Sequence, residues 1–237
     1  MFFFLQLACM RHSVPNQPLP SDSDSVHFTA HQKIEQWLSE PKPSTIDSER
    51  EANLLDLAGW IEERSSEGLS AELIFVCTHN SRRSHISQLW TQAAAAHMGL
   101  NNVMTYSGGT EATDFNPRAV NALISHGFVI EESELVLNSD NIVYNTTFST
   151  RAESIQSFSK RFDHETNPTA DFAAVMVCTT ADQSCPVVNG ADTRISIPYV
   201  DPKRSDGTSD ETATYLAKSE EIGREMVWML KQVSLER

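Results

Sequence analysis

The feature that most restricts the fold is a thiol and an arginine six positions apart at a strand-to-helix boundary, in the run Cys77-Thr78-His79-Asn80-Ser81-Arg82-Arg83-Ser84. The run follows the apolar stretch Leu73-Ile74-Phe75-Val76 and leads into a helical pattern from Ile86 to Met98. A strand, a tight loop and a helix start in this order aim backbone N–H groups, the positive end of a helix dipole and a guanidinium fork at one point. That point suits a tetrahedral oxyanion. The same field favours a thiolate at Cys77 in contact with the bound anion. A nucleophile and an anion cradle in one loop imply covalent chemistry on phosphate, arsenate or a similar species. The alternative, a buried free cysteine closing a core strand, explains the thiol but not the spacing. The chain lacks G-x4-G-K-[ST], so nucleotide binding is not expected.

At these residues the chain resembles the low-molecular-weight protein tyrosine phosphatase superfamily, which also contains the thioredoxin-coupled arsenate reductases. The family loop reads approximately C-x-G-N-x-C-R-S. Cys77, Asn80, Arg83 and Ser84 match it position by position, whereas His79 stands where a glycine is usual and Arg82 where a second cysteine is common. The resemblance implies that Cys77 is the nucleophile and that Arg83 binds the equatorial oxygens. Asn80 would hold the loop shape and the Ser84 hydroxyl would stabilise the thiolate. Thr78, His79, Asn80, Ser81, Arg82 and Arg83 would form the oxyanion-binding loop, with no metal and no cofactor.

Beyond the loop the pattern alternates. Val103 to Ser107 reads as a strand, and Asn116-Pro117 starts a helix that Gly127 ends, with asparagine as N-cap and proline at the first helical position. Ile142 to Phe148 reads as a short strand or loop edge, Phe172 to Cys178 as a buried strand, and Ile195 to Ile197 as another. Asp210 to Val233 closes the chain as a helix with Tyr215, Ile222, Met226, Met229 and Leu230 on a broad apolar face. Strands separated by helices imply a parallel sheet with its site at the strand C-terminal ends. The expected fold is α/β: three layers with a central four-stranded parallel sheet flanked by helices, the phosphatase loop after its first strand, and an N-terminal helical extension.

A second group of thiols follows in Cys178-Thr179-Thr180-Ala181-Asp182-Gln183-Ser184-Cys185-Pro186. Cys178 ends a strand expected beside that of Cys77, and Cys185 lies seven positions on in a polar stretch. The spacing does not fit paired zinc ligands. One reading is a relay, in which Cys178 attacks an adduct on Cys77 and Cys185 then attacks Cys178 to leave a reducible disulfide. The other makes Cys178 a packed strand-end residue and Cys185 a bystander on a loop. The relay is similar to that of the thioredoxin-coupled arsenate reductases, whose nucleophile is served by two later cysteines in a run like C-x6-C-P. Both branches of the superfamily also carry an Asp-Pro on a late loop, matched here by Asp201-Pro202, and the resemblance makes Asp201 the acid that protonates the leaving group. Asp206, in Ser205-Asp206-Gly207, competes for that role but reads as a turn residue. Ser107-Gly108-Gly109-Thr110 resembles the family's second-strand stretch beside the loop, where Ser107 can hydrogen-bond the loop. Gln88 stands near where some reductases carry a glutamate of a potassium site, so bound potassium is not expected.

A chain of 237 residues, 40% hydrophobic, can bury one substantial core and carry an extra segment. Residues 1–25 are expected to be disordered, given three prolines and the Ser21-Asp22-Ser23-Asp24-Ser25 tract. Residues 26–70 are expected to be a helical extension and residues 71–237 the catalytic domain. In the extension, Ser48-x-x-Glu51 reads as a capping box, with Leu54, Leu55, Ala58 and Ile61 at helical spacing, and His31, Ile34, Trp37 and Leu38 as a shorter helix. A net charge of −14 argues against nucleic acid or an anionic membrane as partner. The short apolar start, Phe2 to Leu5, has no basic flank and is too brief for a span, so the cytoplasm is the expected compartment. Three functions stay open: arsenate reduction with thioredoxin or glutaredoxin as reductant, phosphotyrosine hydrolysis through a phosphocysteine on Cys77, and a non-catalytic oxyanion or redox sensor.

Overall fold

In the computed structural model, the described residues are 22–39, 45–138, 141–184 and 187–234. Two helices come first, α1 (Asp22–Ser39) and α2 (Ser48–Ser66), followed by β1 (Ala71–Cys77), α3 (Arg83–Met98), β2 (Val103–Gly109) and α4 (Pro117–His126). Three strands, β3 (Val129–Asn138), β4 (Asn141–Thr147) and β5 (Ile155–Ser157), then interrupt the alternation. It resumes with β6 (Phe172–Met176), α5 (Thr179–Ser184), β7 (Ala191–Ser196) and the long α6 (Glu211–Lys231).

Four strands form the central sheet in the order β2-β1-β6-β7, and every pairing is parallel. The chain therefore forms the four-stranded parallel sheet flanked by helices that its sequence pattern implies, with the loop directly after the first strand. Strand β1 is interior to the sheet, which is why Leu73, Ile74, Phe75 and Val76 are an unbroken apolar run and are wholly buried. In this register Cys77 sits opposite Gly109, and Val76 opposite Met176. The thiol thus emerges at the C-terminal edge of the sheet with a strand end on either side.

Helix boundaries follow their caps. The Asn116 side chain accepts from the Arg118 N–H at 3.0 Å, Pro117 opens α4, and Gly127 closes it in the left-handed region at φ 107°. Helix α6 buries Tyr215, Ile222, Met226, Met229 and Leu230. Two expectations for α2 are corrected. Its N-cap is Asp47, whose carboxylate accepts from the Arg50 N–H at 3.0 Å, and not Ser48. Leu55 faces solvent, and Leu57 and Trp60 join Leu54, Ala58 and Ile61 in the core. Helix α1 begins at Asp22 and buries Ile34 and Leu38, with the Trp37 ring 4.2 Å from that of Trp90.

The stretch around Ile142 belongs to a second sheet, antiparallel and ordered β3-β4-β5. Exposed Glu131, Glu132 and Glu134 break the apolar alternation of β3, which hides the strand in the sequence. Among the described residues, no helix is long and apolar enough to cross a membrane.

Candidate active site

The loop after Cys77 is held from outside by its carbonyl groups. The carbonyls of Cys77 and Thr78 accept from the N–H groups of Thr110 and Glu111 at 3.1 and 2.8 Å. The Ser159 hydroxyl donates to the His79 carbonyl at 2.9 Å, and the Asn116 N–H donates to that of Ser81 at 2.9 Å. With these carbonyls turned outward, the N–H groups of residues 79–82 donate to no protein acceptor among the described residues. This is the concave array of donors that an oxyanion needs. Gly109 makes the close approach of β2 possible, because a Cβ there would lie 2.7 Å from the Asn80 nitrogen and 2.8 Å from the Thr78 oxygen.

Asn80 is the pivot. It occupies the left-handed region at φ 45°, which asparagine tolerates better than most side chains. Its Oδ1 accepts from the Lys160 N–H at 2.8 Å, so its Nδ2 is left to donate to Ser84 Oγ, also at 2.8 Å. A serine oxygen that accepts from Asn80 turns its own hydrogen elsewhere, and Cys77 Sγ lies 3.1 Å away. With Cys77 as a thiolate, which has no hydrogen to give, Ser84 is the donor to sulfur and stabilises that charge. His79, where the family loop has glycine, is not in the left-handed region, and its side chain is half-exposed, 3.7 Å from the Glu111 carboxylate. The loop accepts it without strain.

Arg83 donates to Asp201 Oδ2 at 2.6 Å and to the Tyr199 carbonyl at 2.9 Å. Asp201 caps the short 3-10 turn Pro202–Ser205, accepting from the Lys203 N–H at 3.0 Å. Arg82 leads the other way. It donates to the Tyr215 hydroxyl at 2.9 Å, which donates to Asp206 at 2.7 Å; burial first, and then that carboxylate, pushes the Tyr215 phenol up to about 12. Asp206 is thus committed to Arg82 and Tyr215, at a distance from Arg83's partners.

Cys178 is buried two residues past the end of β6, with its sulfur 3.4 Å from Thr78 Oγ1 and accepting from the Ala181 N–H at 3.3 Å. The structure thus brings Cys77, Arg83, Ser84, Asp201 and Cys178 around one loop. Cys185 lies outside the described residues.

Residues 72–142 match the family described as low molecular weight phosphotyrosine protein phosphatase. An arsenate reductase of Bacillus licheniformis is 27% identical over 152 residues, 64% of this chain and 88% of that protein. One from Halalkalibacterium halodurans is 29% identical over 153 residues, 64% of this chain and 89% of that protein. The chain is thus similar, over its first strand, loop and the residues that follow, to the low-molecular-weight phosphotyrosine phosphatases, and over a longer span to arsenate reductases. The solution structure of a low molecular weight protein tyrosine phosphatase from Bacillus subtilis is similar at 20% identity and a TM-score of 0.46, covering 68% of this chain and 95% of that one.

Several residues around this loop have no signal in the motif itself. His85 is fully buried, stacks on Phe115 with ring centroids 3.9 Å apart, and lies 3.3 Å from the Ser107 hydroxyl. Burial, and then the nearby Lys160 charge, holds its imidazole well below the ordinary range, so it is neutral. Ser107 meets the loop through this ring. Gln88 donates to the Thr105 carbonyl at 3.1 Å. Behind the segment that carries Asp201, Arg50 of α2 donates to the Pro198 carbonyl at 2.8 Å and to Glu225 at 2.6 Å, with its guanidinium 4.2 Å from the Tyr199 ring centre. Nothing in the local sequence of α2 points to a residue 148 positions away.

Proposed function

We propose that this enzyme reduces arsenate to arsenite through Cys77, Cys178 and Cys185, with a thioredoxin or glutaredoxin dithiol as the reductant. The observation that carries this reading is the place of Cys178, whose sulfur meets the first loop residue after Cys77 at 3.4 Å. Phosphoryl transfer to water has no use for a thiol there. The arsenate reductases of which the chain spans 88 and 89% support the same reading.

The Cys77 thiolate attacks arsenic and an S–As bond forms, while one arsenate oxygen leaves as water after taking the Asp201 proton. The Cys178 thiolate then attacks the Cys77 sulfur. An S–S bond forms, the S–As bond breaks, and its electron pair stays on arsenic, which departs as arsenite. Cys185 attacks Cys178 in turn, frees the Cys77 thiolate and leaves a Cys178–Cys185 disulfide for the external dithiol. The cytoplasm supplies such dithiols, and it is the compartment this reading requires.

The pairing of Arg83 with Asp201 favours a second reading, phosphotyrosine hydrolysis through a phosphocysteine on Cys77, which uses the same loop and acid and neither later thiol. Arsenate turnover with a thioredoxin system, run beside an aryl phosphate assay, separates the two. Cys178→Ser and Cys185→Ser should each stop multiple turnovers of arsenate while leaving aryl phosphate hydrolysis largely intact. Mass spectrometry of the wild type after one arsenate turnover should find the Cys178–Cys185 disulfide. Free thiols and no arsenite, alongside hydrolysed aryl phosphate, would make the protein a phosphatase.

A further inference from the structure

Between α3, β2 and the edge of the second sheet lies a cleft of about 390 Å³, within the size range of small-molecule sites. Phe148, Phe158, Lys160 and Asn167 form its buried wall, Ile155 its flank, and the exposed Glu153 stands at its mouth. It is separate from the Cys77 loop, since Lys160 meets that loop through its main-chain N–H while its side chain lines the cleft.

Lys160 is the anomaly of this wall. It is only 5% exposed, and its ammonium group lies 4.5 Å from the Phe158 ring centre. Among the described residues no carboxylate acts on its charge, and the ammonium group stays open to the cleft instead of being sealed in the core. A lysine buried to this degree without an anion is costly to the fold, and that cost is removed by an anion of the right shape. The neighbouring polar groups do not supply one: Gln88 and Asn167 each keep a buried carbonyl oxygen without a donor. The aromatic wall fits an organic body better than a hydrated inorganic ion. Glu153 at the mouth disfavours a second negative group on the ligand.

We propose that this cleft binds a small aromatic monocarboxylate, with its carboxylate on Lys160 and its ring against Phe148 and Phe158. The site stands whether Cys77 serves arsenate or phosphotyrosine, because none of these residues belongs to the loop or to the acid. Titration calorimetry of the full chain with 3-phenylpropionate, in buffer that holds saturating inorganic phosphate on the Cys77 loop, tests it. Saturable binding is expected, weakened about tenfold or more in Lys160→Met and for the neutral 3-phenylpropionamide. Ala152→Trp, at the half-buried margin of the cleft, leaves the lysine in place and should block the site by filling it. Circular dichroism of both variants separates lost binding from lost folding, and Ala152→Trp stands in should Lys160→Met fail to fold. Absence of saturable binding at millimolar ligand, equal affinity for acid and amide, or full affinity in either folded variant overturns the proposal. Binding that appears only when phosphate is left out also overturns it, since the acid would then sit on the Cys77 loop.

Discussion

Arg83 and Asp201 are hydrogen-bonded to each other at 2.6 Å, so the guanidinium that would grip an oxyanion holds the carboxyl that would protonate its leaving group. An anion gripped by both Arg83 Nε–H, which has no partner among the described residues, and Nη2–H, which now goes to Asp201, would displace that carboxyl. Binding would then free Asp201, the candidate acid, as the substrate arrives. Asp201→Asn removes the acid and the competitor together. The expected outcome is a kcat lower by about two to four orders of magnitude, with phosphate inhibition as tight as in the wild type or tighter. Phosphate affinity falling in step with kcat would mean that Asp201 positions Arg83 for binding.

Ser84 is given its donor role by Asn80, and that assignment can be tested without substrate. Ser84→Ala leaves the loop backbone in place and removes the hydrogen aimed at sulfur. Iodoacetamide alkylation of Cys77 at pH 7 should slow by about tenfold, the size expected for one hydrogen bond to a charged group. Asn80→Ala frees the serine hydroxyl to rotate and should slow alkylation less than Ser84→Ala, while loosening the loop further. An Arg83→Lys variant should keep Cys77 reactive yet bind phosphate poorly, because it keeps the charge and loses the fork.

How much of this was legible in the sequence depended on whether the determining contact was local. The loop, the alternation of strands and helices and the caps of α4 are written in runs of a few residues. Cys77 and Arg83 could thus be placed from spacing, and Asn80 and Ser84 from the resemblance of the loop. The capping of α2 by Asp47 and the exchange of Leu55 for Leu57 were not, because neighbouring residues offered equivalent patterns and tertiary packing chose between them. Strand β3 was hidden by three glutamates on an exposed stretch. Arg50 and Lys160 were invisible for a different reason. Each matters through a contact across the fold, and neither lies in a motif.

Arg50 carries a prediction of its own, since it ties the N-terminal extension to the segment that leads to Asp201. It pairs with Glu225, which also accepts from the Tyr199 hydroxyl at 2.8 Å. Burial raises Glu225 above the ordinary carboxylate range, and Arg50 opposes that rise. With its folded value raised, the folded carboxyl keeps a proton that the unfolded chain has lost, so stability falls as pH climbs through that window. Arg50→Gln takes away the opposing charge and widens the window upward. The variant should lose about 3–5 kcal/mol at pH 7, the cost of a buried charge left without its partner, and less near pH 5, as read by urea unfolding at both values. Equal losses at the two pH values would assign Arg50 a packing role only.

Lys160 gives the opposite pH signature. Burial lowers its ammonium from 10.5 to about 8, so between those values the unfolded chain binds a proton that the folded chain has released. Stability of the wild type should therefore gain from this group as pH rises from 8 toward 10. Lys160→Met replaces an unpaired buried cation by an apolar chain of similar length. It should stabilise the protein at pH 7 by about 1–3 kcal/mol, with the advantage shrinking as pH approaches 10. A saturating aromatic carboxylate should narrow the same gap at pH 7, because it supplies the missing anion to the wild type and has nothing to pair with in the variant. Urea unfolding of both proteins at pH 7 and pH 9.5 measures these differences, and a Lys160→Met variant less stable than wild type at pH 7 would show that the ammonium is already satisfied within the fold.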